Sequence, residues 1–154
     1  DNLFVNKIYL SDRKDNLKTS FLMGEQMRVK VHVKDISNKS DVLIGAIIKN
    51  HYDQWISSIT TGMTCSFIEK PRTKEEMAIL EIDRIPLIPG DYYLDISIYQ
   101  KNEGRIDYID RAARFTIVEN DIYGTGYHMS SHFGWIYLEG DWKIINIPIK
   151  ENND

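Results

Sequence analysis

DYYLDISIYQ, residues 91–100, alternates between two kinds of side chain. Tyr92, Leu94, Ile96 and Ile98 fall on one side, and Tyr93, Asp95, Ser97 and Tyr99 on the other. Successive residues of an extended strand point to opposite faces, so a period of two argues a strand with one buried and one solvated face. QMRVKVHVK, residues 26–34, repeats the pattern: Met27, Val29, Val31 and Val33 alternate with Arg28, Lys30, His32 and Lys34.

Working outward from these two segments gives strands almost everywhere. Residues 4–10 read as a first strand and 11–20 as a polar loop. Residues 42–49 are a nearly continuous apolar run, expected of a central strand, and after a polar turn at 50–54 the segment 55–61 completes a hairpin. KPRTKEE (70–76) is an exposed loop, 77–83 a strand, and IPLIPG (85–90) a tight corner, because two prolines cannot donate to a ladder. A turn at 101–104 precedes a strand at 111–118, with Ala113, Phe115 and Ile117 on one side. The glycine- and serine-bearing stretch 121–132 reads as a hinge or linker, followed by strands near 133–138 and 142–147 and a polar tail. Roughly eight to ten strands at this spacing, with no segment long enough for a crossover helix, indicate an all-β sandwich or barrel.

Composition agrees. The chain has 154 residues, with Tyr 9, Phe 5 and Trp 3, a composition inclined to strands. That length suits one domain, residues 1–154, with a core large enough to need no staple. The formal net charge of -4 excludes a strongly basic nucleic-acid surface over the whole chain. The single cysteine, Cys65, cannot close an internal disulfide and is expected to be an inert thiol. No apolar run approaches the roughly 18 residues of a membrane span, and no secretory signal opens the chain. The first residue is Asp1, so a fragment or a processed product is expected.

Signatures of chemistry are sparse. YGTGYH (123–128) has a GxG without the lysine or the helix that a phosphate loop needs. His128 and His132 are four apart, but Met129-Ser130-Ser131 does not make a helix and no third ligand is near. Asp107 and Asp110 are a carboxylate pair that could in principle serve a glycosidase, but isolated acids near a turn are usually just solvated. The basic face Arg28, Lys30, His32, Lys34 is expected to keep a sheet soluble and to blunt an edge. What stands out is the face Tyr93, Asp95, Ser97, Tyr99, where aromatic plates alternate with short polar groups. Sugars want that mixture, C–H faces against rings and hydroxyls against donors and acceptors. Arg114 and Thr116 would join it if 111–118 pairs with 91–100, and Trp55 and Tyr52 stand at a hairpin mouth. Ordinary cross-strand stabilisation is the alternative explanation.

Five motifs in order resemble a known family: FLMGEQMRVKVHV (21–33), LIGAIIKNHYDQWISSITT (43–61), IPLIPGDYYLDISIY (85–99), DYIDRAARFTIVENDIYGTG (107–126) and GWIYLEGDW (134–142). Together they resemble the C-terminal domain of Wzt-type proteins, the nucleotide-binding subunits of ABC transporters that export O-antigen and related surface polysaccharides. One departure is that Tyr52-Asp53 stands where a glycine turn is usual. The resemblance implies an immunoglobulin-like antiparallel β-sandwich. It also implies a non-catalytic domain without cofactor or metal that binds the exported glycan, commonly near its terminus, at the cytoplasmic face of the membrane. An N-terminal ATPase domain in the parent protein and a homodimer formed by exchange of C-terminal strands are implied with it. The site residues expected on that basis are Trp55, Tyr93 and Tyr99 stacking on sugar rings, Asp95 accepting from hydroxyls, Arg114 donating, and Ser97 beside them. The competing functions are a structural dimerisation domain that binds no sugar and a glycan-active enzyme.

Overall fold

The alternation in residues 26–34 becomes β3 (Met27–Lys34), with its four apolar side chains buried and its four basic ones turned outward. The computed structural model describes residues 4–36, 38–64 and 74–150. Cys65, part of the charged loop at 70–76 and the end of the polar tail lie outside the described residues.

β1 (Val5–Ser11), β3 and β6 (Glu75–Ile82) form an antiparallel three-stranded sheet in the order β1-β3-β6. The second sheet holds β2 (Ser20–Leu22), β4 (Val42–Asn50), β5 (Trp55–Thr60), β7 (Gly90–Gln100) and β8 (Gly104–Val118), in the order β2-β8-β7-β4-β5. The two sheets close over one core, with Val29, Val31, Ile44, Leu94, Ile96, Ile98 and Phe115 among its members. Tyr92 is fully buried, stacks on Phe115 with centroids 5.6 Å apart, and donates its hydroxyl to the Ile88 carbonyl at 2.6 Å. Burial without a nearby charge pushes the Tyr92 hydroxyl up to about 12. A β-sandwich was legible in the sequence, and the two sheets realise it.

Four details differ from expectation. β2, which starts at the last residue of the expected loop and was not anticipated as a strand, is three residues long and runs parallel to β8, so the sandwich is not wholly antiparallel. A strand that short carries too little periodicity to be seen. β8 begins seven residues earlier than expected, because Arg105, Asp107, Asp110 and Arg111 mask the strand pattern in its first half. One turn of helix, α1 (Thr61–Thr64), ends the β5 segment. Residues 133–147 form no strand among the described residues: a 3-10 turn at Ser131–Phe133 leads to a single bridge, Leu87 to Ile136, and the chain then runs out exposed. Trp135 and Tyr137 tie this segment to the proline corner, where the Ile88 N–H donates to the Trp135 carbonyl and the Tyr137 N–H to the Pro86 carbonyl, both at 2.9 Å.

The basic outward face of β3 is matched by acids. Arg28 lies 3.0 Å from Asp15 and 2.9 Å from Glu81, Lys30 lies 2.8 Å from Asp15, and His32 lies 3.2 Å from Glu75. This face keeps the sheet wet and offers little net charge to an anion.

Replacing Phe115 with Ala should cost about 3–5 kcal/mol of stability through the cavity it leaves. Tyr92→Phe removes the hydroxyl with its bond to the Ile88 carbonyl and its longer contact to the Trp135 carbonyl, and should cost about 1 kcal/mol. Urea unfolding of both variants, with unchanged slope, measures the difference.

Candidate functional site: the outward trough of the five-stranded sheet

Trp55, Lys49, Tyr93 and Arg114 form one row across four strands. Trp55 is paired with Lys49 between β5 and β4, Lys49 with Tyr93 between β4 and β7, and Tyr93 with Arg114 between β7 and β8. Directly opposed residues share a face, so the four side chains stand on the same side of the sheet. Further along, Ile47 opposes Asp95, Gly45 opposes Ser97, which opposes Tyr108, and Leu43 opposes Tyr99, which opposes Arg105. All six expected site residues are therefore on this one face.

The face is hollow. Gly45 and Ile47 point outward from β4 yet are buried, whereas Trp55 on β5 is 63% exposed and Arg105 and Arg111 on β8 are exposed. β4 and β7 thus form the floor of a shallow trough and β5 and β8 its walls. Gly45 belongs to the floor, since a Cβ there would stand 2.6 Å from Ser97 Oγ.

Lys49 anchors the floor. Its Nζ lies 2.7 Å from Asp53 Oδ1, 2.8 Å from Asp95 Oδ2 and 2.7 Å from Asp110 Oδ1, and its side chain is almost fully buried. Burial pulls the ammonium down, but its hydrogen bonds to Asp110, Asp53 and Asp95 outweigh that and hold Lys49 well above the ordinary lysine range. The same bond from Lys49 holds the exposed Asp53 carboxyl below its usual value. Asp53 reaches Lys49 from the β4–β5 turn, where it adopts φ 65. There Asn50 Oδ1 accepts from the Tyr52 and Gln54 N–H groups, a turn of the kind asparagine favours. The non-glycine turn flagged by the sequence is thus what carries a carboxylate into the trough.

Asp95 corrects an expectation. It lies on the predicted face but is wholly buried, and its oxygens are engaged within the protein. Oδ1 accepts from the Arg111 N–H at 2.8 Å, and Oδ2 accepts from Lys49 and from the Tyr108 hydroxyl. Burial and the Asp95 contact push Tyr108 up to about 12. Facing Asp95, three residues of β8, namely Asp110, Arg111 and Ala112, stand opposite one residue of β7, and a short acid at that point takes the bulge's unpaired N–H.

Of the remaining expected residues, Tyr99 is exposed, Ser97 and Tyr93 are half-buried, and Arg114 reaches Asp91 at 3.3 Å from an exposed position. The Thr116 hydroxyl, donating at 2.6 Å, and the Arg114 charge hold Asp91 below the usual carboxylate range. Two guanidinium groups lie on tyrosine rings, Arg111 over Tyr93 at 4.5 Å and Arg105 over Tyr108 at 4.6 Å. One side of Tyr93 is therefore already covered. Tyr52 does not join the trough, since its ring meets His51 and Trp135 at the end of the sandwich. Lys49, Arg105, Tyr108 and Arg111 were not singled out in the sequence, and Asp53 and Asp110 were noted there without being placed on this face. The available signal was a lysine ending an otherwise apolar run, a charge that needs partners when buried.

Other candidates fall away. Asp107 and Asp110 diverge: Asp107 accepts from the Phe4 N–H at 2.9 Å, while Asp110 binds Lys49 in the trough. In residues 121–126, Asp121 accepts from the Thr125 and Gly126 N–H groups, a local turn in which Gly124 and Gly126 have positive φ. His128 pairs with Glu119, and no cluster of metal ligands occurs among the described residues. No helix among them is long and apolar enough to cross a membrane.

Residues 4–130 match the sequence profile of the Wzt C-terminal domain. The chain belongs to the Wzt C-terminal domain family. The crystal structure of the C-terminal domain of wzt is 12% identical, covers 94% of this chain and 89% of its own, and superposes with a TM-score of 0.74, a shared fold. A CARDB domain from Pyrococcus furiosus, solved in complex with di-metal ions, is 9% identical over 76% of this chain and 96% of its own, and its TM-score of 0.43 carries no argument. Among curated proteins none matches the sequence. As a Wzt C-terminal domain, the chain is a non-catalytic part of the nucleotide-binding subunit of an ABC transporter.

In this Wzt domain, Lys49→Met strands the buried Asp95 charge and should destabilise by about 3–5 kcal/mol. Asp53→Asn and Asp110→Asn, at exposed partners, should each cost less than about 1 kcal/mol. Chemical denaturation of the three variants checks the ranking.

Proposed function

We propose that this Wzt domain binds the polysaccharide its transporter exports, an O-antigen or related glycan, in the outward trough and without altering it. The observation that carries the proposal is the row Trp55–Lys49–Tyr93–Arg114, in which apolar rings stand beside pre-set polar groups along a hollow strip. Trp55 and Tyr99 offer open rings to the C–H face of a sugar. Asp53 and Asp110 each bond Lys49 through Oδ1, so Oδ2 of each is available to hydroxyls from a fixed position. Ser97 and Arg114 supply further polar contacts, and Tyr93 contributes a ring already capped by Arg111. Asp95 supports the site from beneath. Such an open strip recovers little of the ordering cost, so affinity is in the micromolar to millimolar range. The glycan's terminal region is the part recognised, the parent protein carries an N-terminal ATPase domain, and the site works at the cytoplasmic face of the membrane. No cofactor is needed.

Calorimetry with polysaccharide released from the lipopolysaccharide of the strain that encodes the chain tests this. Trp55→Ala and Tyr99→Ala should each weaken binding about tenfold, roughly 1.4 kcal/mol, with unchanged melting temperature. Full affinity in both variants would move the site off this face, and release of reducing sugar would point to an enzyme.

A second copy of the chain is the proposed partner of the C-terminal segment. Trp142 is 98% exposed, Ile144 95% and Ile149 92%, a density of bare apolar side chains that a soluble domain covers by association. Exchange of residues 133–147 as strands between two copies, with 121–132 as hinge, would bury them. The double variant Ile145→Asp, Ile147→Asp should sediment at the mass of one chain where the parent sediments as two. Equal masses for both would refute the exchange.

A further inference from the structure

We infer that Arg111 is a ligand-contacting residue of the trough and that Asp95 is the positioning residue that places it, an inference that rests on the glycan-binding proposal for the same face. Asp110, Arg111 and Ala112 face the single residue Asp95, so the ladder cannot supply partners for every backbone group there. Arg111 adopts φ 49, a left-handed conformation that costs a non-glycine residue energy and persists only when its surroundings hold it. What holds it is the Asp95 carboxylate, which accepts the Arg111 N–H at 2.8 Å and is itself pinned by Lys49 and Tyr108.

The outcome is a guanidinium laid on the Tyr93 ring at 4.5 Å. Lys49 is taken up by three carboxylates and Arg114 by Asp91, but among the described residues no carboxylate lies within ion-pair distance of Arg111. Stacking satisfies the face of a guanidinium and leaves its rim of in-plane N–H donors free. Arg111 stands exposed beside the Trp55–Arg114 row, so that rim is available to the hydroxyl or ring oxygens of a sugar lying on the composite platform. A flexible surface arginine would have to be ordered on binding. This one is ordered beforehand, which reduces the entropy lost on binding.

The test has two arms on the whole domain. Without ligand, NMR of the Arg111 Nε–H proton reads its position over the Tyr93 ring. Asp95→Ala should move that resonance to the position of a free arginine, and Asp95→Asn, which keeps a carbonyl acceptor for the Arg111 N–H, should restore it. An unmoved resonance in Asp95→Ala overturns the positioning role. Should Asp95→Ala fail to fold, the same reading is made in Asp95→Ala with Lys49→Met, which removes the buried cation that has lost its one buried partner. With the lipopolysaccharide-derived polysaccharide as probe, Arg111→Ala should weaken binding about tenfold. Asp95→Ala should weaken it by a similar factor, and the double variant no further than either alone. Multiplying factors, or full affinity in Arg111→Ala, overturn the inference. Absence of binding by the parent domain overturns the glycan proposal instead, and the NMR arm then still decides whether Asp95 places Arg111.

Discussion

An ammonium and a carboxylate 2.8 Å apart, both buried on what ought to be the solvated side of a sheet, govern the rest of this structure. Charges leave water at a high cost unless they are paired and their remaining lone pairs and protons are bonded. Here Lys49 spends its three protons on Asp53, Asp95 and Asp110, and Asp95 fills its acceptor positions from Lys49, Tyr108 and the Arg111 backbone. The pair spans β4, β7 and β8 laterally, so the sheet is fastened on its outward side by charge and on its inward side by apolar packing. A hollow on the outward side follows, because side chains that bond one another lie low while Trp55, Arg105 and Arg111 stand at the margins.

Much of the architecture could be read before any coordinates. Residues 26–34 and 91–100 have a clean period of two because each has one face against the core and one against solvent, and both became strands with the expected faces. β2 escaped because three residues hold no period, and the first half of β8 because a bulge and four charged residues break it. Tyr93, Asp95, Ser97 and Tyr99 could be grouped on one face from strand parity alone, and pairing between strands brings Trp55 and Arg114 to the same face. The role of Asp95 was not legible. Parity says which side a carboxylate points to, but only the register of β8, with its extra residues, says that a backbone N–H waits there. The apolar run before Lys49 hinted at a buried charge, but its partners were not legible, because they come from a turn, a neighbouring strand and the strand beyond it.

The two sheets treat charge differently on their outward faces. On β3, Arg28, Lys30 and His32 meet Asp15, Glu81 and Glu75 in surface pairs, which keep the surface soluble and contribute little to stability. On the five-stranded sheet, one cation is sunk beneath three acids and two guanidinium groups rest on rings. The first arrangement cancels itself. The second keeps donors and acceptors at fixed positions with capacity to spare, as a recognition surface requires. The C-terminal stretch departs from both, since it anchors through Trp135 and Tyr137 at the proline corner and then carries isoleucines into water.

The left-handed Asp53 at the tip of the β4–β5 hairpin separates two tasks that binding sites often confound. Its contribution comes from a reversal of direction whose shape is set locally by the buried side chain of Asn50, away from the β8 bulge. Altering that tip would redraw one wall of the trough and remove one of the three partners of Lys49, while the Lys49–Asp95 contact and the packing of both sheets remain. A scaffold wired this way can change what it recognises by editing a few residues at a corner, with the cost to folding confined to a place that bears little of it.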